Sequence, residues 1–171
     1  KVMDKTMLSF LVERLMLVPS LDCIVLATTT NATDDPLVNE ADNLGIKVFR
    51  GSENDVMNRV LGAAKSVDAD VIVEITGDCP LIDPDIIEQS INMYKCHEVD
   101  YVSNVMIRSY PDGMDTQVMS FKALEKSASL TNDDLDLEHV SLHIRNNPEI
   151  FSRVHLVAPP SLHWPELGLT L

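Results

Sequence analysis

The chain has 171 residues, of which 45% are hydrophobic and 23% are charged, and its formal net charge is -14. This length suits a single domain, 1–171, that buries about 70% of its unfolded surface. The acidic balance argues against partners that need a basic face, which are nucleic acids and anionic membranes. Cys23, Cys79 and Cys96 show neither disulfide nor metal-site spacing, and no apolar run could span a bilayer. We therefore expect a cytoplasmic protein.

Short apolar runs alternate with helical patterns along the chain. They predict strands at 23–27, 46–49, 71–75, 101–103, 116–119, 151–157 and 167–171. They predict helices at 7–17, 36–44, 56–66, 84–95, 121–129 and 138–146, with an exposed acidic segment at 131–136. This order is typical of an α/β fold with a mostly parallel sheet covered on both faces.

Local signals support several of these boundaries. Gly45 is a typical residue after a helix end, and Ser52 lies three residues before Asp55 in a capping-box-like spacing. Pro111 followed by Asp-Gly predicts a turn between 109 and 113.

The most informative segment is DVIVEITGDCPLIDPD, residues 70–85. Its apolar run predicts a strand buried on both faces, and residues 83–85 (Asp-Pro-Asp) predict the start of a helix. Asp78 lies in the loop between them, at the carboxyl end of a strand, where open α/β sheets bind ligands. An aspartate there either bonds backbone N–H groups of its own loop or provides an oxygen ligand for Mg²⁺.

Three separated segments resemble the cytidylyltransferase family, in the family's order. They are RGSENDVMNR at 50–59, GDCPLI at 77–82 and YPDGMD at 110–115. The family includes the SpsF-type spore-coat polysaccharide proteins and, more distantly, the CMP-sialate and CMP-KDO synthetases. The resemblance implies the nucleotide-diphospho-sugar transferase architecture, a three-layer α/β/α sandwich with a mixed sheet. It also implies transfer of CMP from CTP to a sugar acid, with release of pyrophosphate, for surface polysaccharide biosynthesis.

The same resemblance implies a nucleotide site. Asp78 would hold Mg²⁺ against the CTP phosphates and Lys1 would be a cation on them, so these two are the candidate catalytic residues. The other nucleotide-binding candidates are Thr28, Thr29, Arg50, Arg59 and Thr76. All of these except Arg50 have an alternative: Thr28 and Thr29 equally end a strand, Thr76 bonds its own loop, which the sequence favours, and Arg59 equally pairs with Asp55 four residues earlier on a helix.

The acceptor side of the cleft is implied by the resemblance as well. The candidates are Asp112, Gly113, Asp115, Gln117, Glu138 and His139. Gln117 replaces an acidic residue common in the family, and Leu137 replaces the arginine of the family's REHV motif. His139 is alternatively a helix-face histidine bonded to a neighbour.

Family members begin with a strand and a phosphate loop, and they continue past 171 into a segment with a second metal-binding aspartate. We therefore expect 1–171 to lack both parts, and as written to be poorly stable or inactive. One competing hypothesis is a glycosyltransferase of the same fold that uses a nucleotide-sugar donor, although GDCPL is not the DxD-type motif usual there. Another is a degenerate, non-catalytic nucleotide-binding module. A homodimer is an expectation from the family alone.

Overall fold

The computed structural model describes residues 4–171, so Lys1 lies outside the described residues. The chain divides into two compact units. Unit 1 comprises residues 4–22, Val73–Val118 and Arg153–Leu171, and unit 2 comprises Cys23–Ile72 and Met119–Ser152. One domain can contain two such units, so the single domain stays a prediction.

Helices and strands alternate as the sequence predicts. The helices are α1 (Met7–Leu15), α2 (Asp35–Leu44), α3 (Val56–Lys65), α4 (Pro84–Cys96), α5 (Phe121–Leu130), α6 (Asp134–Glu138) and α7 (Leu142–Asn146). The strands are β1 (Val25–Thr29), β2 (Lys47–Gly51), β3 (Val71–Glu74), β4 (Tyr101–Ser103), β5 (Gln117–Ser120) and β6 (Arg153–His155). Short 3-10 turns lie at Ala32–Asp34 and Pro160–Leu162. The α/β fold class is confirmed.

Unit 2 is built on the parallel pair of β1 and β2, in register from Val25 opposite Lys47 to Thr29 opposite Gly51. The connecting helix α2 ends where predicted, at Gly45, whose φ of 71° is left-handed. Helix α3 packs on both strands. Gly62 makes this packing possible, because a Cβ at this position would lie 2.3 Å from the Phe49 ring.

Unit 1 contains the parallel pair of β4 and β6, in register from Tyr101 opposite Arg153 to Ser103 opposite His155. These strands belong to a sheet of order β3-β5-β4-β6. Helix α4 packs on β4. A buried cluster supports the loops that carry the acceptor candidates, and its members are Ile86, Tyr110, Met114 and Ala158, with Leu156 and Leu169 packed against it.

Three element ends and the burial of one residue differ from the prediction in the amino-terminal half. Cys23 is exposed, and β1 begins two residues after it. Val71 is 42% exposed, so β3 is not buried on both faces at its first residue. Helix α3 is capped by Asp55 and not by Ser52, because Asp55 accepts from the N–H of Asn58 at 3.0 Å while the Ser52 hydroxyl accepts from the N–H of Asp55 at 3.1 Å. Helix α1 ends at Leu15, two residues earlier than predicted.

The carboxyl-terminal half holds larger errors. The segment predicted to be exposed, 131–136, is exposed at 132–135, but Thr131 is buried and α6 begins inside the segment, at Asp134. The single helix predicted at 138–146 is wrong, because Val140 has a φ of 46° and separates α6 from α7. The strand predicted at 151–157 is reduced to β6. At 167–171 the described chain forms one isolated bridge, between Gly168 and Asp112, in place of a strand.

Candidate active site

The loop between β3 and α4 is held by its own backbone and leaves the Asp78 side chain exposed. The N–H of Cys79 donates to the Thr76 carbonyl at 3.3 Å. At the far end of the loop, Asp83 accepts from the N–H of Asp85 at 2.9 Å and starts α4. The backbone carbonyl of Asp78 accepts from the N–H of Leu171 at 3.2 Å. The predicted strand, loop and helix are thus confirmed, with Asp78 in the loop.

Cys79 is buried beside Asp78. Its sulfur lies 3.2 Å from the Thr76 hydroxyl, and its S–H donates to Oδ1 of Asp78 at 3.5 Å. Burial raises the pKa of the Cys79 thiol to about 11, and the negative charges of Asp78 and Asp115 add to this rise. The thiol is therefore protonated at neutral pH and is not an activated nucleophile. The Thr76 hydroxyl bonds its own loop, which fits the alternative offered for this residue.

The turn predicted between 109 and 113 is confirmed, since the N–H of Met114 donates to the Pro111 carbonyl at 3.2 Å, and its geometry requires glycine at 113. Asp112 forms a two-way backbone contact with the 167–169 segment, at 2.8 Å in each direction. Gly113 has a φ of 96°, and a Cβ there would lie 2.9 Å from the Leu169 carbonyl carbon. The backbone conformation and this close approach therefore explain why residue 113 is glycine, without any contact to an acceptor.

Asp115 links the two loops of unit 1 electrostatically. It raises the pKa of Cys79, as described, and together with Asp112 it raises the pKa of Arg108. The main cause of the Arg108 shift is its contact with Asp112, in which the charged groups lie 3.1 Å apart. Asp78, Asp112 and Asp115 thus form an acidic neighbourhood, in which Arg108 forms an ion pair with Asp112.

Gln117 is engaged within the sheet. Its Oε1 accepts from the hydroxyl of the buried Tyr101 at 2.6 Å, and its Nε2 donates to the carboxylate of Glu74. The side-chain amide is therefore bound at both ends, and contact with an acceptor would require it to exchange a partner. Sequence reasoning missed Glu74 and Tyr101 here; the available signal was a carboxylate inside the apolar run of β3.

The nucleotide candidates of unit 2 form a braced loop after β1. Oδ2 of Asp34 accepts from the hydroxyls of Thr28 and Thr29 at 2.7 and 2.6 Å, and from the N–H of Thr29 at 3.0 Å. These bonds, led by the Thr29 hydroxyl, lower the pKa of Asp34 to about 2. The threonine side chains therefore end the strand in the way that the alternative interpretation described.

Arg50 fastens the same loop from β2. Its Nε donates to the Thr29 carbonyl at 2.8 Å, and its two terminal nitrogens donate to Asp35 at 2.7 Å and to the Asn31 carbonyl at 2.8 Å. The guanidinium thus already has three partners in the chain. A phosphate contact would have to replace or share some of them.

Arg59 does not pair with Asp55 in the described chain. Its Nη1 donates to the backbone carbonyls of Ser52 and Glu53, while Asp55 caps α3. Its Nε is buried and lacks a hydrogen-bond partner within residues 4–171. The arginine therefore shapes the loop before α3.

Glu138 and His139 lie together at the end of α6, and both are exposed. The N–H of His139 donates to the Leu135 carbonyl at 2.9 Å, and the next residue is the left-handed Val140. The pair therefore stands at a helix end and not on a helix face.

The described residues show neither a complete metal cage nor a membrane span. Across residues 4–171, no three His, Cys, Asp or Glu side chains are arranged to hold a metal ion. The same part of the chain has no helix that is long and apolar enough to cross a membrane.

Unit 1 brings Thr76, Asp78, Asp112, Gly113 and Asp115 into two linked loops. In unit 2, Thr28, Thr29 and Arg50 form a second group.

Comparison with known proteins places the chain in a family. The family model described as cytidylyltransferase matches residues 1–161. An uncharacterised protein of Methanocaldococcus jannaschii is 36% identical over 100% of this chain and 69% of its own length. The spore coat polysaccharide biosynthesis protein SpsF of Bacillus subtilis is 33% identical, over 88% of this chain and 62% of its own length. The chain thus spans about two thirds of these curated relatives.

A solved structure agrees with this assignment. A cytidylyltransferase from Leptospira borgpetersenii serovar Hardjo-bovis superposes with a TM-score of 0.93 at 32% identity, and the match covers 98% of this chain and 71% of that one. The family motifs predicted from the sequence, the α/β fold and these matches agree. The chain belongs to the cytidylyltransferase family.

Proposed function

We propose that the protein transfers CMP from CTP to a sugar acid and releases pyrophosphate, in the cytoplasm and for surface polysaccharide biosynthesis. The observation that carries the proposal is the exposed Asp78 carboxylate in the β3–α4 loop of a cytidylyltransferase-family chain. The name of the SpsF relative supports the polysaccharide role. The resemblance to the cytidylyltransferase family, which more distantly includes the CMP-sialate and CMP-KDO synthetases, supports a sugar-acid acceptor.

The reaction is a single displacement at phosphorus. A hydroxyl oxygen of the sugar acid attacks the α-phosphorus of CTP, the bond from that phosphorus to the bridging oxygen breaks, and pyrophosphate leaves. The hydroxyl proton passes to solvent or to a nearby carboxylate. No covalent enzyme intermediate is needed, which agrees with the protonated Cys79 thiol. Catalysis then consists of positioning and charge neutralisation.

Asp78 is the proposed ligand of Mg²⁺. Its exposed carboxylate fits, because Mg²⁺ is commonly bound by one or two carboxylates together with substrate phosphates and water. The acidic neighbourhood of Asp112 and Asp115 also favours a cation over a bare polyphosphate. When bound, the ion would neutralise charge that develops on the phosphate oxygens.

The remaining site residues keep proposed roles with limits set by the geometry. For CTP we propose contacts from the backbone at Thr28 and Thr29 and from the side chains of Lys1, Arg50, Arg59 and Thr76. For the acceptor we propose Asp112, Asp115, Glu138 and His139. A homodimer is a further proposal, which sedimentation of the purified protein would test.

Calorimetric titration of the full-length protein with CTP, UTP, GTP and ATP, with and without Mg²⁺, tests the nucleotide half of the proposal. We expect CTP to bind selectively, Mg²⁺ to be required, and Asp78→Ala to remove binding. Asp22→Ala is the matched control, because Asp22 is an exposed aspartate outside this loop. Binding without nucleotide preference would contradict the proposal. Selective binding with no pyrophosphate release from any sugar acid would favour the non-catalytic module.

A further inference from the structure

The turn between α6 and α7 contains a residue in a conformation that it rarely adopts. Val140 has a φ of 46° and is buried, with 4% of its surface exposed. A β-branched residue at positive φ is an outlier, and it persists only where the surrounding contacts impose it. The exposed Glu138 and His139 immediately precede it.

A chain of polar contacts crosses this turn. Oδ2 of Asp136, in α6, accepts from the Thr131 hydroxyl at 2.7 Å and lies 3.2 Å from Nδ1 of His143, in α7. The Asn147 amide donates to the backbone carbonyl of His143 at 2.7 Å. With its hydrogen on Nδ1, the imidazole donates to Asp136, so a side chain before the turn is joined to one after it.

Packing alone does not explain a histidine at position 143. Its ring meets the edge of Phe151, with centroids 6.1 Å apart and planes at 79°. Its Nε2 is buried and has no hydrogen-bond partner among the residues that the structure describes. A buried nitrogen without a partner lowers stability, and phenylalanine would fill the same space without that cost. What distinguishes histidine here is Nδ1, which lies 3.2 Å from Asp136 Oδ2 and 3.3 Å from the side-chain nitrogen of Asn147.

We propose that Asp136 and His143 are positioning residues, which hold Val140 left-handed and thereby fix Glu138 and His139 for the acceptor. The acceptor contact of that pair is taken from the proposed function. Asp136 and His143 are each only 14% exposed in their side chains, so they act through the pair and do not touch substrate themselves.

The first test is residue-resolved hydrogen exchange, which needs no substrate. Asp136→Asn keeps the size of the side chain and removes its charge, while His143→Phe keeps the ring contact and removes Nδ1. Both should accelerate exchange at the N–H of His139, which donates to the Leu135 carbonyl at the end of α6, and at the N–H of Leu142, which donates to the His139 carbonyl across Val140. We expect about a tenfold change, equivalent to about 1.4 kcal/mol. Ser20→Ala, which removes a hydrogen bond to Glu88 in unit 1, is the control for general destabilisation.

The second test is a kinetic double-mutant cycle in the full-length protein, with CTP and 3-deoxy-manno-octulosonate as the probes. Asp136→Asn should raise the KM for the sugar acid about tenfold and leave the KM for CTP within about twofold. In a His139→Ala background the same substitution should add little, because its effect passes through His139.

These results separate the positioning role from the proposed function. Unchanged exchange at His139 and Leu142 in both variants would overturn the positioning role, even if CTP is bound and turned over. Additive effects of Asp136→Asn and His139→Ala, or equal rises in both KM values, would also overturn it. A different observation would contradict the proposed function, namely the absence of selective CTP binding by the unsubstituted protein.

Discussion

Two loops of the molecule carry an aspartate after a strand, and they treat its carboxylate in opposite ways. After β1, one oxygen of Asp34 accepts three hydrogen bonds from Thr28 and Thr29. After β3, the Asp78 side chain is exposed, and it accepts a weak hydrogen bond from the Cys79 thiol at 3.5 Å. A carboxylate with three donors is occupied in maintaining its loop, whereas an exposed one remains accessible to a cation. Similar sequence positions therefore predict different consequences of mutation.

The largest expected effect is on turnover in Asp78→Asn. Losing the charge should reduce kcat/KM by about 10² to 10³-fold, because a group that neutralises transition-state charge is removed. The thermal unfolding midpoint should hardly change, since the side chain makes little contact in the fold. Pyrophosphate release and thermal unfolding measure the two quantities. A clear fall in the midpoint would show that Asp78 serves its loop as Asp34 does.

Asp34→Asn should give the reverse pattern, with a lower unfolding midpoint. The amide keeps the size of the side chain but removes the charge that the Thr28 and Thr29 donors stabilise. Asp42→Asn is the matched control, since Asp42 lies exposed on α2 in the same unit. Equal midpoints for the two variants would contradict a bracing role for Asp34.

The same contrast should appear in the pH dependence of stability. The pKa of Asp34 is lowered in the folded protein from 3.8 to about 2, so its contribution is complete above the unfolded value. That contribution is lost as pH falls from about 4 through 2, where the folded group takes up its proton. The difference in midpoint between the unsubstituted protein and Asp34→Asn should therefore shrink over this range. A difference that is constant from pH 6 to pH 2 would disprove the charge-based explanation.

Local chemistry accounts for the parts of the fold that the sequence predicted well. The start of α4 follows from an aspartate cap and a proline at the first helical position, and the end of α2 follows from a left-handed Gly45. These signals act within a few residues and need no tertiary contact. The family motifs then drew attention to Asp78, and the structure confirms that it lies in the loop between β3 and α4.

The errors arise where contacts between distant residues decide the conformation. Nothing in the segment LEHVSLH indicates a break, because valine disfavours the left-handed region that Val140 adopts. Thr131 was expected to be exposed, yet its hydroxyl bonds Asp136. Likewise, the pairing of Gln117 with Tyr101 and Glu74 depends on the order of the strands, which periodicity does not reveal. The roles of polar side chains were therefore harder to predict than the positions of helices and strands.

The smallest expected effect is in Arg50→Lys, which tests whether the braced loop also meets the nucleotide. Lysine keeps the charge but has no fork to serve Thr29, Asn31 and Asp35 together. Because the side chain is 30% exposed, we expect a loss of about 1 kcal/mol or less in the free energy of unfolding. If the guanidinium only braces the loop, CTP affinity should be nearly unchanged in both Arg50→Lys and the uncharged Arg50→Met. Weaker CTP binding in Arg50→Met than in Arg50→Lys would instead show that the charge at position 50 acts on the phosphates, and the contrast between the two loops would then be one of degree.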